Sequence, residues 1–234
     1  MKKIILIVLA GFAFSAHGQM PFNSAGSYEQ AGELHNDMFG FVKDNPPRPV
    51  TEKTVVQAMD EYLRDLNSNI SASEVLLSPE YQEAAQQFRA ASDKAQYLMD
   101  EAGFSVQGAG YYTQLIKALS NIDYETLYNA LVSLEEKVSR DKTLGTREKQ
   151  LLLVASAIGR HSAYNGIINT SGSSSDKQKV WVADVLGAIE GGASGAYTAA
   201  AITIGTAVIP GWLSGAVLGA AKCSILAYLA NAIE

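Results

Sequence analysis

The chain has 234 residues, of which 47% are hydrophobic and 18% are charged, with 18 basic residues, 24 acidic residues and one cysteine, Cys223. A single thiol excludes an internal disulfide, so stability has to come from buried apolar surface, for which this length suffices. The acidic balance argues against nucleic acid as a partner, because nucleic acid is bound through basic patches.

Residues 1–18 have the three parts of a secretory signal peptide. Two lysines form a basic start, an apolar run extends from Ile4 to Phe14, and small residues follow up to Gly18. This run is shorter than the roughly 20 residues that a membrane-spanning helix needs. We therefore expect cleavage after Gly18 or one residue later, and export to the periplasm, the cell surface or the medium. A retained membrane anchor is the alternative.

Charge divides the remaining chain into two regions. Of the 24 acidic residues, 22 lie between Glu29 and Asp184, whereas residues 187–234 hold only three charged residues in all. We predict an all-α multi-helix bundle with a C-terminal glycine-rich helical hairpin. Its predicted parts are an amphipathic helical domain over 19–170, a Ser/Gly tether over 171–175 and an apolar hairpin over 176–234.

Apolar residues at helical spacing predict about six amphipathic helices in the first region, and no alternation is long enough to indicate a strand. The first helix is expected over 28–42. Ser78, Pro79 and Glu80 form a start signal, with a capping hydroxyl, a proline at the first position and an acid in the first turn. That helix is expected to continue to Gly103.

Glycines and a capping residue farther along the first region predict the remaining helix boundaries. We interpret Gly108 to Gly110 as a loop. Asp123 is expected to cap the helix that follows. A further helix over 151–168 is apolar enough to lie at the centre of a bundle.

Glycines recur at every fourth residue of the C-terminal region, in two sets that each follow one helix face. Pro210 separates the sets, so the simplest construction is two antiparallel helices over 176–209 and 211–233. Glycine costs about 1 kcal/mol relative to alanine in a helix, and close backbone approach offsets that cost. The six glycines expected to pack are Gly187, Gly191, Gly195, Gly211, Gly215 and Gly219.

The hairpin is long enough to contact a membrane through 187–233, because 31 uncharged residues separate Glu190 from Lys222. However, Lys222 falls in the middle of the second helix, where insertion of a charge costs about 2.5–3.5 kcal/mol. A hairpin buried in the fold is therefore favoured over an inserted or oligomerising one, which stays the alternative.

Candidate catalytic residues are few, and neither a cofactor nor a metal is predicted. His35 and Asn36 form a possible polar site, although a hydrogen-bonded histidine near a helix start has the same pattern. His161 is expected at the edge of the core with a backbone carbonyl as its partner. Cys223 is expected to be a small buried apolar residue.

Several segments together carry a family resemblance. They are the Lys-Lys leader ending near 16–19, Gly32 with the pair His35-Asn36, and the run from Asp184 to Gly195. With them the chain resembles uncharacterised exported helical proteins of the Bacteroidota kind, and its tail is similar to bacteriocin-like glycine-zipper peptides. Neither resemblance implies catalytic residues.

Three functions are therefore compared. The first is a non-enzymatic exported protein whose hairpin mediates close helix packing or self-association with a protein partner. The second is a membrane-active, pore-type secreted effector. The third is a hydrolase that uses His35 and neighbouring acids, which requires His35 and His161 to share a cleft.

Overall fold

The computed structural model describes residues 23, 28–121, 123–169, 174–194, 202–204, 207–209 and 211–232. This part of the chain forms ten α-helices, which confirms the predicted all-α multi-helix bundle. The helices are α1 Glu29–Asp44, α2 Glu52–Asp65, α3 Ala72–Leu76, α4 Pro79–Ala90, α5 Lys94–Asp100, α6 Val106–Ala118, α7 Tyr124–Arg140, α8 Thr146–Asn169, α9 Ser174–Ser194 and α10 Gly211–Ala232.

Side-chain caps start six of the first seven helices in the same way. Each capping oxygen accepts a hydrogen bond from the backbone N–H three residues later, which satisfies one of the free donors of the first turn. The caps are Thr51, Ser71, Ser78, Asp93, Ser105 and Asp123. The predicted caps Ser78 and Asp123 are thus confirmed.

The helix predicted from Pro79 to Gly103 is wrong, because the chain forms two helices there. α4 ends at Ala90, and the extended backbone of Ala91 leads to Asp93, whose side chain caps α5. Apolar spacing continues across this break, so it did not reveal the new helix start. Short α3 was likewise not predicted, and eight helices precede α9 instead of about six.

The predicted loop over Gly108 to Gly110 is also wrong, since both glycines lie inside α6. Gly108 lies in a tightly packed place, because an added Cβ would lie 3.0 Å from Oε1 of Glu148. An added Cβ on Gly110 would have no neighbour within 4 Å.

The first arm of the hairpin is shorter than predicted. α9 ends at Ser194, and two strands, β1 Ile202–Ile204 and β2 Ala207–Ile209, pair antiparallel before α10 begins. The β-branched side chains in this stretch favour extended backbone over helix. The prediction of one helix over 176–209 is therefore wrong, whereas the described residues of the first region, where no strand was predicted, contain none.

Apolar side chains from all ten helices form one continuous core. α8 lies near its centre: residues 151–163 are all buried, and this helix packs against α1, α7 and α9. α9 and α10 lie along each other, and α10 also contacts α1. Burial of each Leu, Ile or Val side chain in such a core is worth roughly 1.5–3 kcal/mol.

Candidate functional site

Glycines bring the backbones of α9 and α10 into direct contact. A Cβ added to Gly187 would lie 2.5 Å from the carbonyl oxygen of Gly219, and one added to Gly191 would overlap the carbonyl oxygen of Gly215. Real Cβ atoms essentially never come within 3.0 Å of such a neighbour. Neither position can therefore accept alanine unless the two helices move apart.

Four of the six glycines predicted to pack thus lie at this contact. Gly211 is the first residue of α10, and Gly195 lies outside the described residues. The four-residue spacing missed Gly192, whose added Cβ would overlap a methyl carbon of Leu151 in α8. Adjacent glycines of α9 therefore face two different helices, α10 and α8.

A first group of buried charges, here called the arginine cluster, consists of Glu29, Glu135, Arg160 and His161. Arg160 is 0% exposed and donates from Nη2 to Oε1 of Glu29 at 2.5 Å and from Nε to Oε1 of Glu135 at 2.7 Å. The Nε2 atom of His161 lies 2.7 Å from Oε2 of Glu29. Helices α1, α7 and α8 are joined at this point by charge-assisted hydrogen bonds, which are stronger than neutral ones.

The electrostatics of the arginine cluster favour ionised groups. Burial of Glu29 would by itself raise its pKa, but hydrogen bonds from His161 and Arg160 and the charge of Arg160 lower the pKa below its usual value of 4.5. Burial would lower the pKa of Arg160, whereas Glu135 and Glu29 raise it above its usual value. The guanidinium thus stays cationic, as buried arginines do.

A second group, the lysine cluster, consists of Glu52, Tyr81, Glu190 and Lys222. Nζ of Lys222 lies 3.1 Å from Oε1 of Glu52 and 3.4 Å from Oε1 of Glu190. The Tyr81 hydroxyl donates to Glu190 at 3.2 Å, and the ring centre of Tyr81 is 4.9 Å from Nζ of Lys222. These contacts of Lys222 link α10 to α9, α2 and α4. Lys222 is the only lysine or arginine between Glu190 and the end of the chain.

Burial and neighbouring charges also shift pKa values around the lysine cluster. Burial would raise the pKa of Glu52, but the charge of Lys222 and hydrogen bonds from Gln82 and Lys222 lower it below 4.5. Burial, reinforced by the charge of Glu190, raises the pKa of the Cys223 thiol to about 12. A thiol with such a pKa stays protonated at neutral pH, although Cys223 is only partly buried.

His35 is buried between the two arms of the hairpin. Its Nε2 atom lies 3.4 Å from Oδ1 of Asp184 on α9 and 3.3 Å from Oγ of Ser224 on α10. Asp184 also accepts a hydrogen bond from Ser162 of α8. In a working Ser-His-acid triad the serine and the acid contact opposite ring nitrogens, whereas here they share Nε2. The arrangement therefore joins four helices and does not activate a nucleophile.

Asn36 connects His35 to His161. Its Oδ1 atom is 3.0 Å from Nδ1 of His35, and its Nδ2 donates to the carbonyl oxygen of His161 at 3.0 Å. The two histidines are thus neighbours on α1 and α8. Both side chains are buried. Nε2 of the His161 ring contacts the Glu29 carboxylate, a partner that the sequence did not predict; the backbone carbonyl expected as a partner of this ring stays a prediction.

The side chains of the described residues form a surface cleft but no metal site. Among the described residues, no group of three or more His, Cys, Asp or Glu side chains is placed to hold a metal ion. A surface cleft of about 420 Å³ is lined by Asp60, Arg64 and Glu74, with Ser71 and neighbouring residues. The Asp60 carboxylate already accepts hydrogen bonds from the Ser71 hydroxyl and the Ser73 backbone, so its role is to hold the start of α3.

Sequence reasoning missed most of this buried network. Glu29, Glu135, Arg160, Asp184 and Ser224 lie on five different helices, and each resembles a surface residue or a helix-terminal residue when its own segment is viewed alone. The available signal was the pair Arg160-His161 within the most apolar predicted helix. A pair of buried polar side chains, one of them a cation, requires buried partners.

Comparisons with family models, with curated proteins and with solved structures give no match for this chain. In the part of the chain that the structure describes, one helix is long and apolar enough to cross a membrane. It is the Leu213–Ala230 stretch of α10, and 72% of it is buried inside the fold.

Proposed function

We propose that the protein is a non-enzymatic exported protein in which the hairpin of α9 and α10 is the scaffold on which the amphipathic helices assemble. The observation that carries this proposal is the backbone contact of Gly187 with Gly219 and of Gly191 with Gly215. Because these faces are already occupied within one chain, they favour internal packing over self-association through the same glycines.

A non-enzymatic role is supported by the burial of the polar groups. His35, His161, Asp184 and Ser224 are each less than 4% exposed and are engaged with one another or with Glu29. A catalytic group has to reach its substrate, and none of these does so. The proposed role is thus mechanical: an exported bundle whose surface helices are fixed by a closely packed centre.

The test compares alanine substitutions at two kinds of glycine: those whose added Cβ would overlap a neighbouring atom, and those whose added Cβ would contact nothing. Gly191→Ala forces α9 and α10 apart, and we expect it to lower the free energy of unfolding by roughly 1–3 kcal/mol or more, as overpacking does. Gly40→Ala and Gly110→Ala are matched helical controls, because nothing lies within 4 Å of their added Cβ. We expect these two to raise stability by about 0.5–1 kcal/mol.

Urea unfolding followed by circular dichroism measures the difference, and light scattering after size exclusion gives the mass. Equal effects of Gly191→Ala and Gly110→Ala would contradict the scaffold proposal. A wild-type dimer that Gly191→Ala converts to a monomer would instead assign the glycine face to self-association.

A second candidate is a membrane-active effector, which the apolar stretch Leu213–Ala230 favours. In this case the bundle would shield the hairpin until it meets a bilayer. Neutral phosphatidylcholine vesicles suit the acidic chain, and Gly191→Ala should release trapped dye faster than wild type because the hairpin is loosened. No dye release by either protein would remove this candidate.

A further inference from the structure

The side chain of Asn36 fixes one proton on the ring of His35. The backbone carbonyl of His161 only accepts hydrogen bonds, so the Asn36 atom that lies 3.0 Å from it is the donor Nδ2. The Oδ1 atom of Asn36 then faces Nδ1 of His35 at 3.0 Å. Because an amide oxygen is an acceptor, Nδ1 carries a proton. In a neutral imidazole this arrangement leaves Nε2 as the unprotonated nitrogen.

The Nε2 atom of His35 faces a carboxylate that is enclosed in the core. Oδ1 of Asp184 lies 3.4 Å from Nε2, which is within ion-pair distance, and the Asp184 side chain is 0% exposed. Oδ2 of this carboxylate accepts from the Ser162 hydroxyl. Among the described residues, no donor forms a hydrogen bond with Oδ1. An unprotonated Nε2 would therefore turn its lone pair toward a buried anionic oxygen that has no donor of its own.

The hydroxyl of Ser224 does not remove this conflict. It lies 3.3 Å from Nε2 of His35 and 3.1 Å from the carbonyl oxygen of Ala221, and it has one proton to donate. If it donated that proton to Nε2, Oδ1 of Asp184 would still lack a donor. If it donates to Ala221, its lone pair faces Nε2, which suits a protonated nitrogen. A proton on Nε2 is thus the arrangement that gives Asp184 a donor and leaves Ser224 its bond to Ala221.

Other ionisable groups that the surrounding helices bring toward this part of the core are paired with one another or neutral. They are Glu29 on α1, Arg160 and His161 on α8, Glu190 on α9, Lys222 and Cys223 on α10, and Tyr62 on α2. The carboxylates and cations among them form the ion pairs of the arginine and lysine clusters. The pKa values of Tyr62 and of the Cys223 thiol are raised to about 12, chiefly by burial. Within the described part of the chain, His35 is therefore the counter-charge available to Asp184, and an unpaired charge in the core is costly.

We propose that His35 is held as an imidazolium in the folded protein, with its Nε2–H directed at Asp184, and that this proton fastens α1 to the hairpin. Both arms of the hairpin contact α1 through this ring, α9 by Asp184 and α10 by Ser224. When the proton leaves, a lone pair faces the carboxylate and the attraction is lost. The connection between α1 and the hairpin is thus sensitive to pH, whether or not the hairpin is the scaffold of the fold.

Uptake of this proton determines the sign of the pH dependence. An unfolded histidine releases its second proton above about pH 6.5, whereas the folded pair keeps it, so the folded state binds more protons in this range. The contribution to stability is complete below that pH. It declines as pH rises, until the folded protein also releases the proton. We expect the folding equilibrium constant to fall by up to about tenfold per pH unit over this interval.

The direct test is the ¹⁵N spectrum of the histidine side chains in the full chain at pH 7.5. An ordinary histidine is neutral by about ten to one at this pH. The His35 nitrogens, identified by nuclear Overhauser effects between the ring and Ser224, should both give the signals of protonated nitrogen. An unprotonated Nε2 would overturn the proposal. This measurement needs no substitution, so its outcome does not depend on the folding of a variant.

Asp184→Asn is the matched substitution, because an amide keeps the shape of the carboxylate, accepts from Ser162 and donates to an unprotonated Nε2. In this variant Nε2 of His35 should be unprotonated at pH 7.5. Asp44→Asn removes an exposed carboxylate from the end of α1 and should leave both ring protons in place. Retention of both protons in Asp184→Asn would contradict the pairing.

Urea unfolding at pH 6.5, 7.5 and 8.5 then measures the linkage. Stability should fall with pH more steeply in wild type and Asp44→Asn than in Asp184→Asn, and equal slopes in all three proteins would overturn the proposal. A failure of the scaffold proposal is distinguishable, because it appears in the comparison of glycine variants and leaves the protonation of His35 unchanged.

Discussion

Arg160 and Lys222 are both buried cations, yet the clusters around them are built differently. The guanidinium of Arg160 meets its two carboxylates at 2.5 and 2.7 Å, whereas the amine of Lys222 meets its two at 3.1 and 3.4 Å. A planar fork matches two carboxylates at once, and an ammonium is a compact point charge that does not. The ion pairs that link helices are therefore shorter in the arginine cluster than in the lysine cluster.

Solvent access differs in the same direction. Glu29 in the arginine cluster is 16% exposed in its side chain, and Glu52 in the lysine cluster is 35% exposed. Water can therefore compensate for a lost partner more readily around Lys222. The cost of removing one partner of a buried ion pair therefore depends on how completely the remaining partner is enclosed, and the following variants test this order.

The largest effect is expected from Arg160→Met. This substitution leaves Glu135 buried without its cation, and removal of one partner of a buried pair costs about 3–5 kcal/mol. Denaturant unfolding measures the loss. Arg140→Met removes an arginine whose side chain is 81% exposed and should change stability by less than about 0.5 kcal/mol. Similar losses for the two variants would show that the cluster is not enclosed.

Lys222→Met should cost less, roughly 2 kcal/mol, which is below the usual range for a buried pair because Glu52 can turn to solvent. Glu190 also keeps the Tyr81 hydroxyl as a donor. The exposed lysine of α2 provides the control variant Lys53→Met. A loss larger than that of Arg160→Met would reverse the order of the two clusters.

Acid should weaken both clusters through their carboxylates. The pKa values of Glu29 and Glu52 are lowered in the fold, so their stabilisation is present above the usual value of 4.5 and is lost as pH falls through the lower folded pKa. Asp37 acts in the opposite direction, because burial raises its pKa. Glu29→Gln isolates one contribution and should flatten the fall in unfolding free energy below about pH 5. An unchanged slope would contradict the assignment.

The smallest effect concerns Cys223, next to Lys222. Because burial raises the pKa of the thiol to about 12, folding stability should decline as pH rises above 9.0, where the unfolded thiol ionises first. At pH 8 the native thiol should react with a thiol reagent far more slowly than in urea. Because the charge of Lys222 lowers the pKa of the thiol, Lys222→Met should slow labelling of the closed state, and faster labelling would show that α10 opens in this variant. Arg160→Met in the distant cluster should change labelling only in proportion to global unfolding.

The sequence indicated those features that depend on local pattern. Helical spacing and the caps Ser78 and Asp123 led to the correct class of fold, because they act within one turn. Four-residue glycine spacing indicated which residues of α9 and α10 meet, since the positions lie on one face. The break between α4 and α5 at Asp93 was missed because the apolar residues keep their helical spacing across it. A single capping residue does not change that spacing.

The buried clusters were not predicted, for a physical reason. Arg160 meets carboxylates that are 131 and 25 residues away, and nothing local distinguishes Glu29 or Glu135 from solvated acids. The strands were missed for a different reason: Ile202, Thr203 and Val208 carried a β-branched signal, but each strand is only three residues long.

The contact of the two hairpin arms is the claim on which the account depends, and nuclear Overhauser effects between glycine α protons measure it directly. A Cβ added to Gly219 would lie 3.0 Å from the Cα of Gly191, so the α protons of these two glycines are near neighbours. In glycine-labelled mature protein we predict a strong cross-peak between Gly191 and Gly219. Its absence, with both resonances assigned and sharp, would show that the arms lie apart and would contradict the account.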